Sequence, residues 1–146
     1  MRLIVQRVSE AKIIIDNNIY SSISKGLVVL LGIKNFDEKQ NADWLVNKLI
    51  NLRIFNDDDN KMNKSLIDIA GEILIVSNFT LYGNFQKGFR PSFIDASKPE
   101  HSEPLYNYFI EKTKQDSKLK VESGKFGADM KVHLINDGPV TLFLEK

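Results

Sequence analysis

The stretch Lys131-Val132-His133-Leu134-Ile135-Asn136-Asp137-Gly138-Pro139-Val140-Thr141-Leu142-Phe143-Leu144 holds two strand-like runs separated by Asn-Asp-Gly-Pro. Asp-Gly between such runs is an ordinary hairpin signal. A proline at the entry to the second run changes the reading, because it removes a ladder donor and admits a cis peptide bond. The Gly138-Pro139 pair is therefore either plain turn chemistry or a rigid piece of backbone put to use. In both cases the segment predicts a closing β-hairpin. His133 falls in phase with Lys131 and Ile135, opposite Val132 and Leu134, and reads as an ordinary strand residue rather than a base.

A second segment bears on the choice. Glu72-Ile73-Leu74-Ile75-Val76 reads as a buried strand and runs into Ser77-Asn78-Phe79-Thr80-Leu81-Tyr82-Gly83. Hydroxyls and exposed backbone N–H groups at a strand's end are where an oxyanion can be held. Upstream, strands are predicted at Leu3–Val8, Ala11–Ile15, Ile19–Ile23 and Gly26–Gly32, with Asn17-Asn18 supplying a hairpin turn because asparagine tolerates positive φ. Asp37 with Gln40 resembles a capping box, and Ala42, Leu45, Val46, Leu49, Ile50 and Leu52 recur at helical spacing, so a first helix is expected from Asp37 to about Arg53. Ser97 with Glu100 repeats the capping pattern, with Pro99 in the first turn. Leu105, Tyr108 and Phe109 carry a second helix to about Gln115, bent early by Pro104. A short strand at Leu119–Glu122 and a glycine-punctuated loop, Ser123–Ala128, precede the closing pair.

With 146 residues, 42% hydrophobic and 27% charged, the chain suits one soluble globular domain over residues 1–146. No apolar run reaches the ~18 residues of a spanning helix, and a cytoplasmic setting without membrane contact is expected. The absence of cysteine removes disulfides, thiol nucleophiles and Cys-based zinc sites, and only His101 and His133 supply imidazole. A net charge of +1 excludes a protein that coats nucleic acid, so DNA is not an expected partner and any RNA contact is local. Asp57 and Asp59 are spaced like calcium-loop ligands, but Lys61 stands where the third oxygen belongs and no glutamate closes the loop, so no metal is expected there. The long segment Gly83–Phe93, with three phenylalanines, offers Lys87 and Arg90 as phosphate contacts; the alternative is a pair of solubilising charges.

Taken together, Met1-Arg2-Leu3-Ile4-Val5-Gln6-Arg7-Val8, Ser77-Asn78-Phe79-Thr80-Leu81, Arg90-Pro91-Ser92-Phe93, Phe126-Gly127-Ala128-Asp129-Met130 and Asn136-Asp137-Gly138-Pro139-Val140-Thr141 resemble the D-aminoacyl-tRNA deacylases along the whole chain. The resemblance implies an α+β fold, mainly antiparallel β-sheets in a barrel-like arrangement with two helices packed outside. It implies a homodimer that needs no cofactor and hydrolyses the ester joining a D-amino acid to tRNA. By the same resemblance, Gly138-Pro139 is a cis dipeptide inserted by one subunit into the other's site, and Arg7 holds it in orientation. Ser77, Asn78, Phe79 and Thr80 line the reaction centre, and Phe126, Gly127, Ala128 and Met130 surround the aminoacyl group or terminal adenosine.

One position departs from that family, which usually has Gln where this chain has Asn78. A role needing the longer side chain is weakened, whereas the backbone N–H groups of Phe79 and Thr80 are unaffected. An aminoacyl ester is already activated, so placing the carbonyl, stabilising the oxyanion and admitting water is enough, with one oxyanion donor worth about 2.7–4 kcal/mol. Thr80 as a nucleophile is the alternative, but no base adjoins it in sequence. Fixed main-chain carbonyls that bind the substrate ammonium and leave no room for an L side chain would accept many D-amino acids and leak glycine. Two other readings use the same residues: a non-catalytic module that binds the tRNA end, and an editing deacylase for a different mischarged tRNA.

Overall fold

The computed structural model describes all residues, Met1–Lys146. The elements run β1 (Arg2–Ile15), β2 (Asn18–Ile23), β3 (Gly26–Gly32), α1 (Lys39–Asn51), β4 (Phe55–Asn56), β5 (Met62–Lys64), β6 (Glu72–Ser77), a 3-10 turn (Phe79–Tyr82), α2 (Pro99–Ser117), β7 (Val121–Ser123) and β8 (Lys131–Glu145). One sheet has the order β2-β1-β3-β6-β7, with β8 on the other edge of β1, while β4 and β5 form a small separate ribbon. Pairing is antiparallel around β1 and parallel for β3–β6 and β6–β7. The result is a mixed sheet nearly closed into a barrel with two helices, the expected α+β class.

β3 and β6 carry unbroken apolar runs because both of their faces are covered. Leu27, Val29, Leu31, Ile73 and Ile75 pack with Leu3, Val5 and the apolar faces of α1 and α2 in the larger core. Val28, Leu74 and Val76 face the other way, into a smaller cluster with Val8, Ala11, Ile13 and Ile23, where the distal half of β1 and β2 curl back over the sheet. Gly26 starts the parallel pairing, and a Cβ there would lie 1.8 Å from the Glu72 carbonyl oxygen, so only glycine allows this approach.

Several boundaries differ from expectation for identifiable reasons. Leu3–Val8 and Ala11–Ile15 are one continuous strand. Its hairpin turn is Asp16-Asn17, both with positive φ, while Asn18 already pairs with Ile15. The capping box of α1 is Glu38 with Asn41 rather than Asp37 with Gln40. Asp37 is buried instead, accepting hydrogen bonds from the Met1 ammonium (2.7 Å) and the Lys34 N–H (2.8 Å). Burial depresses the basicity of that ammonium and Asp37 opposes the effect.

Helix α2 has Lys98 as its N-cap residue with no side-chain cap bond and Pro99 in its first turn; Ser97 does not cap it. The helix reaches Ser117, and Tyr106 rather than Tyr108 is its buried tyrosine. Tyr108 donates across to Asp43 of α1 (2.7 Å). The short strand β7 begins two residues later than expected, after Lys118 turns the chain in a left-handed conformation.

The closing segment is not a hairpin. Lys131–Ile135 and Thr141–Glu145 both run antiparallel to β1, the first along Ile14–Glu10 and the second along Gln6–Arg2. Between Gln6↔Thr141 and Val8↔Asn136, β1 advances two residues while β8 advances five. The Asn136–Val140 segment therefore bulges out opposite Arg7, a local disruption of the ladder of the kind that re-aims backbone.

Candidate active site

Strand β6 ends at Ser77, and the Asn78 N–H continues the pairing by donating to the Leu31 carbonyl (2.8 Å). Asn78 then caps the 3-10 turn. Its Oδ1 accepts the Thr80 N–H (3.1 Å) and also the Thr80 hydroxyl. A backbone N–H fixes which amide atom faces it, because only the oxygen accepts; the Thr80 hydroxyl meeting that same oxygen must therefore donate. The Thr80 N–H, expected with that of Phe79 as an oxyanion donor, is thus engaged by Asn78. Of the two opening amides of the turn, Thr80's is committed to Asn78, and Phe79's has no acceptor within the turn. Asparagine, among the best N-cap residues, suits this position through its short reach.

Below the turn, Arg2 donates to the Leu81 carbonyl (2.9 Å) and stacks over the Tyr82 ring at 4.5 Å while pairing with Glu145 (2.8 Å). Nothing in the sequence pattern marked this brace. Phe93, at the end of the long loop, meets Phe79 edge-on at 5.1 Å. The loop is pinned where Asn84 and Ser92 exchange two 2.8 Å backbone bonds, and its tip leaves Phe85, Phe89, Lys87 and Arg90 exposed.

The facing wall is the Gly124–Met130 loop. The Gly124 N–H donates to the Ile75 carbonyl (2.8 Å), and the buried Tyr106 hydroxyl lies 2.9 Å from that same carbonyl and 3.0 Å from the Gly124 carbonyl. Burial raises the Tyr106 pKa, so it stays a neutral donor. Its ring packs on Phe126 at 5.8 Å, and Gly127 turns the chain with φ +72°.

Between these walls lies a cavity of ≈ 570 Å³, inside the range typical of small-ligand sites, about 300–1,000 Å³. Ser77, Asn78, Phe79, Phe126, Gly127, Ala128 and Met130 all line it, so two sequence-distant motifs meet there. Thr80 sits beside them, exposed, and contributes through Asn78 rather than as a wall. Sequence reasoning missed Leu31 and Ile33 of the floor and Ala96–Pro99 of the rim, which the docking of α2 against the end of β3 brings in through the Ser97 N–H to Ile33 carbonyl bond (2.9 Å). No carboxylate or imidazole lines the cavity, and Lys98 is its only charged residue.

Arg7, Gly138 and Pro139 do not line this cavity. The Gly138–Pro139 bond is cis, and both residues are exposed. Arg7, only 6% exposed, grips the bulge from behind. Its Nε donates to the Asp137 carbonyl (3.1 Å) and pairs with the Asp137 carboxylate (3.0 Å), Nη2 donates to the Gly138 carbonyl (3.3 Å), and Nη1 donates to the Ile54 carbonyl. Asn136 completes the frame, its amide donating to the Arg7 (3.0 Å) and Val140 (3.2 Å) carbonyls.

Comparison with known proteins matches these features to a family. Residues 4–145 fit the family model for D-Tyr-tRNA(Tyr) deacylase. D-aminoacyl-tRNA deacylases of Thermosipho melanesiensis and Geotalea daltonii are 54% and 55% identical over 145 residues, covering 99% of this chain and 97% and 96% of theirs. A solved structure titled c-Myc DNA Unwinding Element Binding Protein superimposes with a TM-score of 0.95 at 41% identity, covering 100% of this chain and 99% of that one. A probable eukaryotic D-amino acid tRNA deacylase, 18% identical, shares the fold with a TM-score of 0.83 over 98% of this chain and 97% of its own. The chain belongs to the D-Tyr-tRNA(Tyr) deacylase family and is a hydrolase acting on aminoacyl-tRNA.

Proposed function

We propose that this deacylase, with residues 1–146 acting as one unit, is a cytoplasmic chirality proofreader. In this reading it clears D-aminoacyl-tRNA and also glycyl-tRNA, working as a homodimer in which the Gly138-Pro139 segment of one subunit completes the cavity of the other. The observation that carries the reading is the separation of parts. The cavity of a chain lacks its Gly138-Pro139 segment, while that segment stands exposed with two of its carbonyls held by Arg7. The 15-residue β8 pairs on one edge only, and Ile135 and Phe143 on it are each 56% exposed, a surface suited to a second copy.

Chemistry in the cavity proceeds without a protein base. An amide oxygen is far too weak a base to take the Thr80 proton, so the contact with Asn78 turns Thr80 into an acceptor rather than a nucleophile. Its free lone pairs face outward and orient a water or the substrate's ribose 2′-OH, while the Phe79 N–H stabilises the oxyanion. Lys87 and Arg90, which make no ion pair, contact tRNA phosphates beyond the cavity.

Mixed-subunit complementation tests the shared site. A variant with a crippled cavity, Phe126→Asp, and one with a blocked segment, Gly138→Trp, are each expected to be inactive on D-tyrosyl-tRNA alone. Mixed together they should regain up to about a quarter of the wild-type rate, because half of the random dimers are mixed and each holds one intact site. Retention of full activity by Gly138→Trp would remove the filter, and turnover of L- and D-tyrosyl-tRNA at equal rates would remove the proofreading role. A binding module for the tRNA end would retain affinity yet show no turnover.

A further inference from the structure

We infer that Lys98 is a substrate-positioning residue: its ammonium takes the phosphate on the 5′ side of the terminal nucleotide and thereby fixes which way the substrate lies in the cavity. The inference rests on the functional reading above and adds the direction of binding.

Three observations converge on that end of the cavity. Lys98 is the only charged residue among those lining it, and it forms no ion pair with any carboxylate of the chain, Asp95 and Glu100 included. Next to it, the Ser97 hydroxyl oxygen is buried with no hydrogen-bond partner, an uncommon condition, on a residue that lines the same cavity. Lys98 is the N-cap residue of α2, with Ser97 just before it, and the first turn adds a partial positive charge where Lys98 already concentrates one. The Lys98 ammonium makes no hydrogen bond or ion pair within the chain, so its donors remain free for a ligand.

Charge then orders the substrate. An aminoacylated terminal nucleotide carries an α-ammonium at its ester end and a phosphate at its 5′ end. Lys98 repels the first and attracts the second, so the ester must lie at the opposite end, beside Ser77, Asn78 and Phe79. The Asn78 and Ser97 amides hang from the Leu31 and Ile33 carbonyls, so the two ends of the site are tied to separate points at the end of β3.

The experiment compares D-tyrosyl-adenosine with its 5′-monophosphate as minimal substrates, and adenosine with AMP as ligands by calorimetry. For the wild-type protein the phosphorylated member should win by roughly tenfold in kcat/KM, through KM, and by a similar factor in affinity. Lys98→Gln should erase both preferences with kcat unchanged, and Lys98→Arg should restore them. Equal handling of both members by the wild-type protein, or an equal loss on both in Lys98→Gln, overturns the inference. If neither ester is hydrolysed, the functional reading fails, and the AMP–adenosine comparison still decides the role of Lys98.

Discussion

Replacing Arg7 by lysine keeps a cation and removes the planar fork, which separates charge from geometry at the exposed bulge. The guanidinium serves the Asp137, Gly138 and Ile54 carbonyls together, and a lysine ammonium at the same place can satisfy one of them. Two charge-assisted bonds are then forfeited, each worth about 1.5–3 kcal/mol where water cannot substitute. Gly138 is exposed, so water restores much of its share, whereas the Ile54 carbonyl bond is buried. The net cost is about 2–3 kcal/mol, a fall in Tm of roughly 4–12 °C for a chain of this size. The same substitution should release the Asp137–Gly138 carbonyls, so the ratio of D- to L-tyrosyl-tRNA hydrolysis should fall more than the D rate itself. Thermal melts and paired deacylation assays read the two effects separately. A lowered Tm with an unchanged D-to-L ratio would show that Arg7 serves the fold alone and would refute the link between its grip and stereochemical choice.

Asn78→Ala should cost about 0.5–2 kcal/mol in denaturant unfolding by uncapping the 3-10 turn. Asn78→Asp should keep the cap and most of the stability, yet lose activity because a carboxylate beside the developing oxyanion opposes it. Tyr106→Phe should lower stability by about 1–3 kcal/mol, since it strips the buried Gly124 carbonyl of its hydroxyl partner while the Ile75 carbonyl keeps the Gly124 N–H; it should also raise KM through the loosened Phe126 wall. Glu72 is pushed up by burial, but the Ser24 N–H and the Lys120 ammonium outweigh this and hold its pKa below the ordinary 4.5. Its folded-state pKa is thus the lower one, so its stabilisation is complete above pH 4.5 and lost as pH falls through the folded value. Glu72→Gln should therefore flatten the acid limb of the stability curve, which denaturation between pH 3 and 7 checks.

The legible parts of the fold were those whose signal is local. The apolar runs of β3 and β6 announce strands covered on both faces, and the spacing Ala42-Leu45-Val46-Leu49-Ile50 announces α1 without help from any neighbour. Residues 136–139 show the limit. Asn-Asp-Gly-Pro is a sound local turn signal, but whether the flanking strands pair with each other or with a third depends on β1 being long enough to accept both. Asp37 failed as a cap because the Met1 ammonium and the Lys34 amide claim its carboxylate, one of those contacts reaching across 36 residues. At the site, the motif residues from 77–79 and 126–130 were visible as motifs. The places of Lys98, Ser97 and Arg2 at the site were not, since each acquires its place only when α2 docks on β3 or when the N-terminal strand passes under the 3-10 turn.

The chemistry of the cavity constrains what must complete it. Its lining offers hydroxyls, a carboxamide, backbone amides, aromatic rings and one lysine at a far rim, with no anionic side chain to receive the ammonium of an aminoacyl group. Burying that ammonium without an acceptor would cost several kcal/mol, about the size of the oxyanion stabilisation itself. On the shared-site proposal, the main-chain carbonyls of a partner's bulge add acceptors for that ammonium without adding a base that would also attack correctly charged esters. In the bulge, Arg7 spends its donors on holding the Asp137 and Gly138 carbonyls in fixed directions rather than on any ligand. A rigid acceptor with no side-chain chemistry discriminates by shape alone, so its selectivity should depend on the configuration at Cα and hardly at all on what the amino acid carries beyond it.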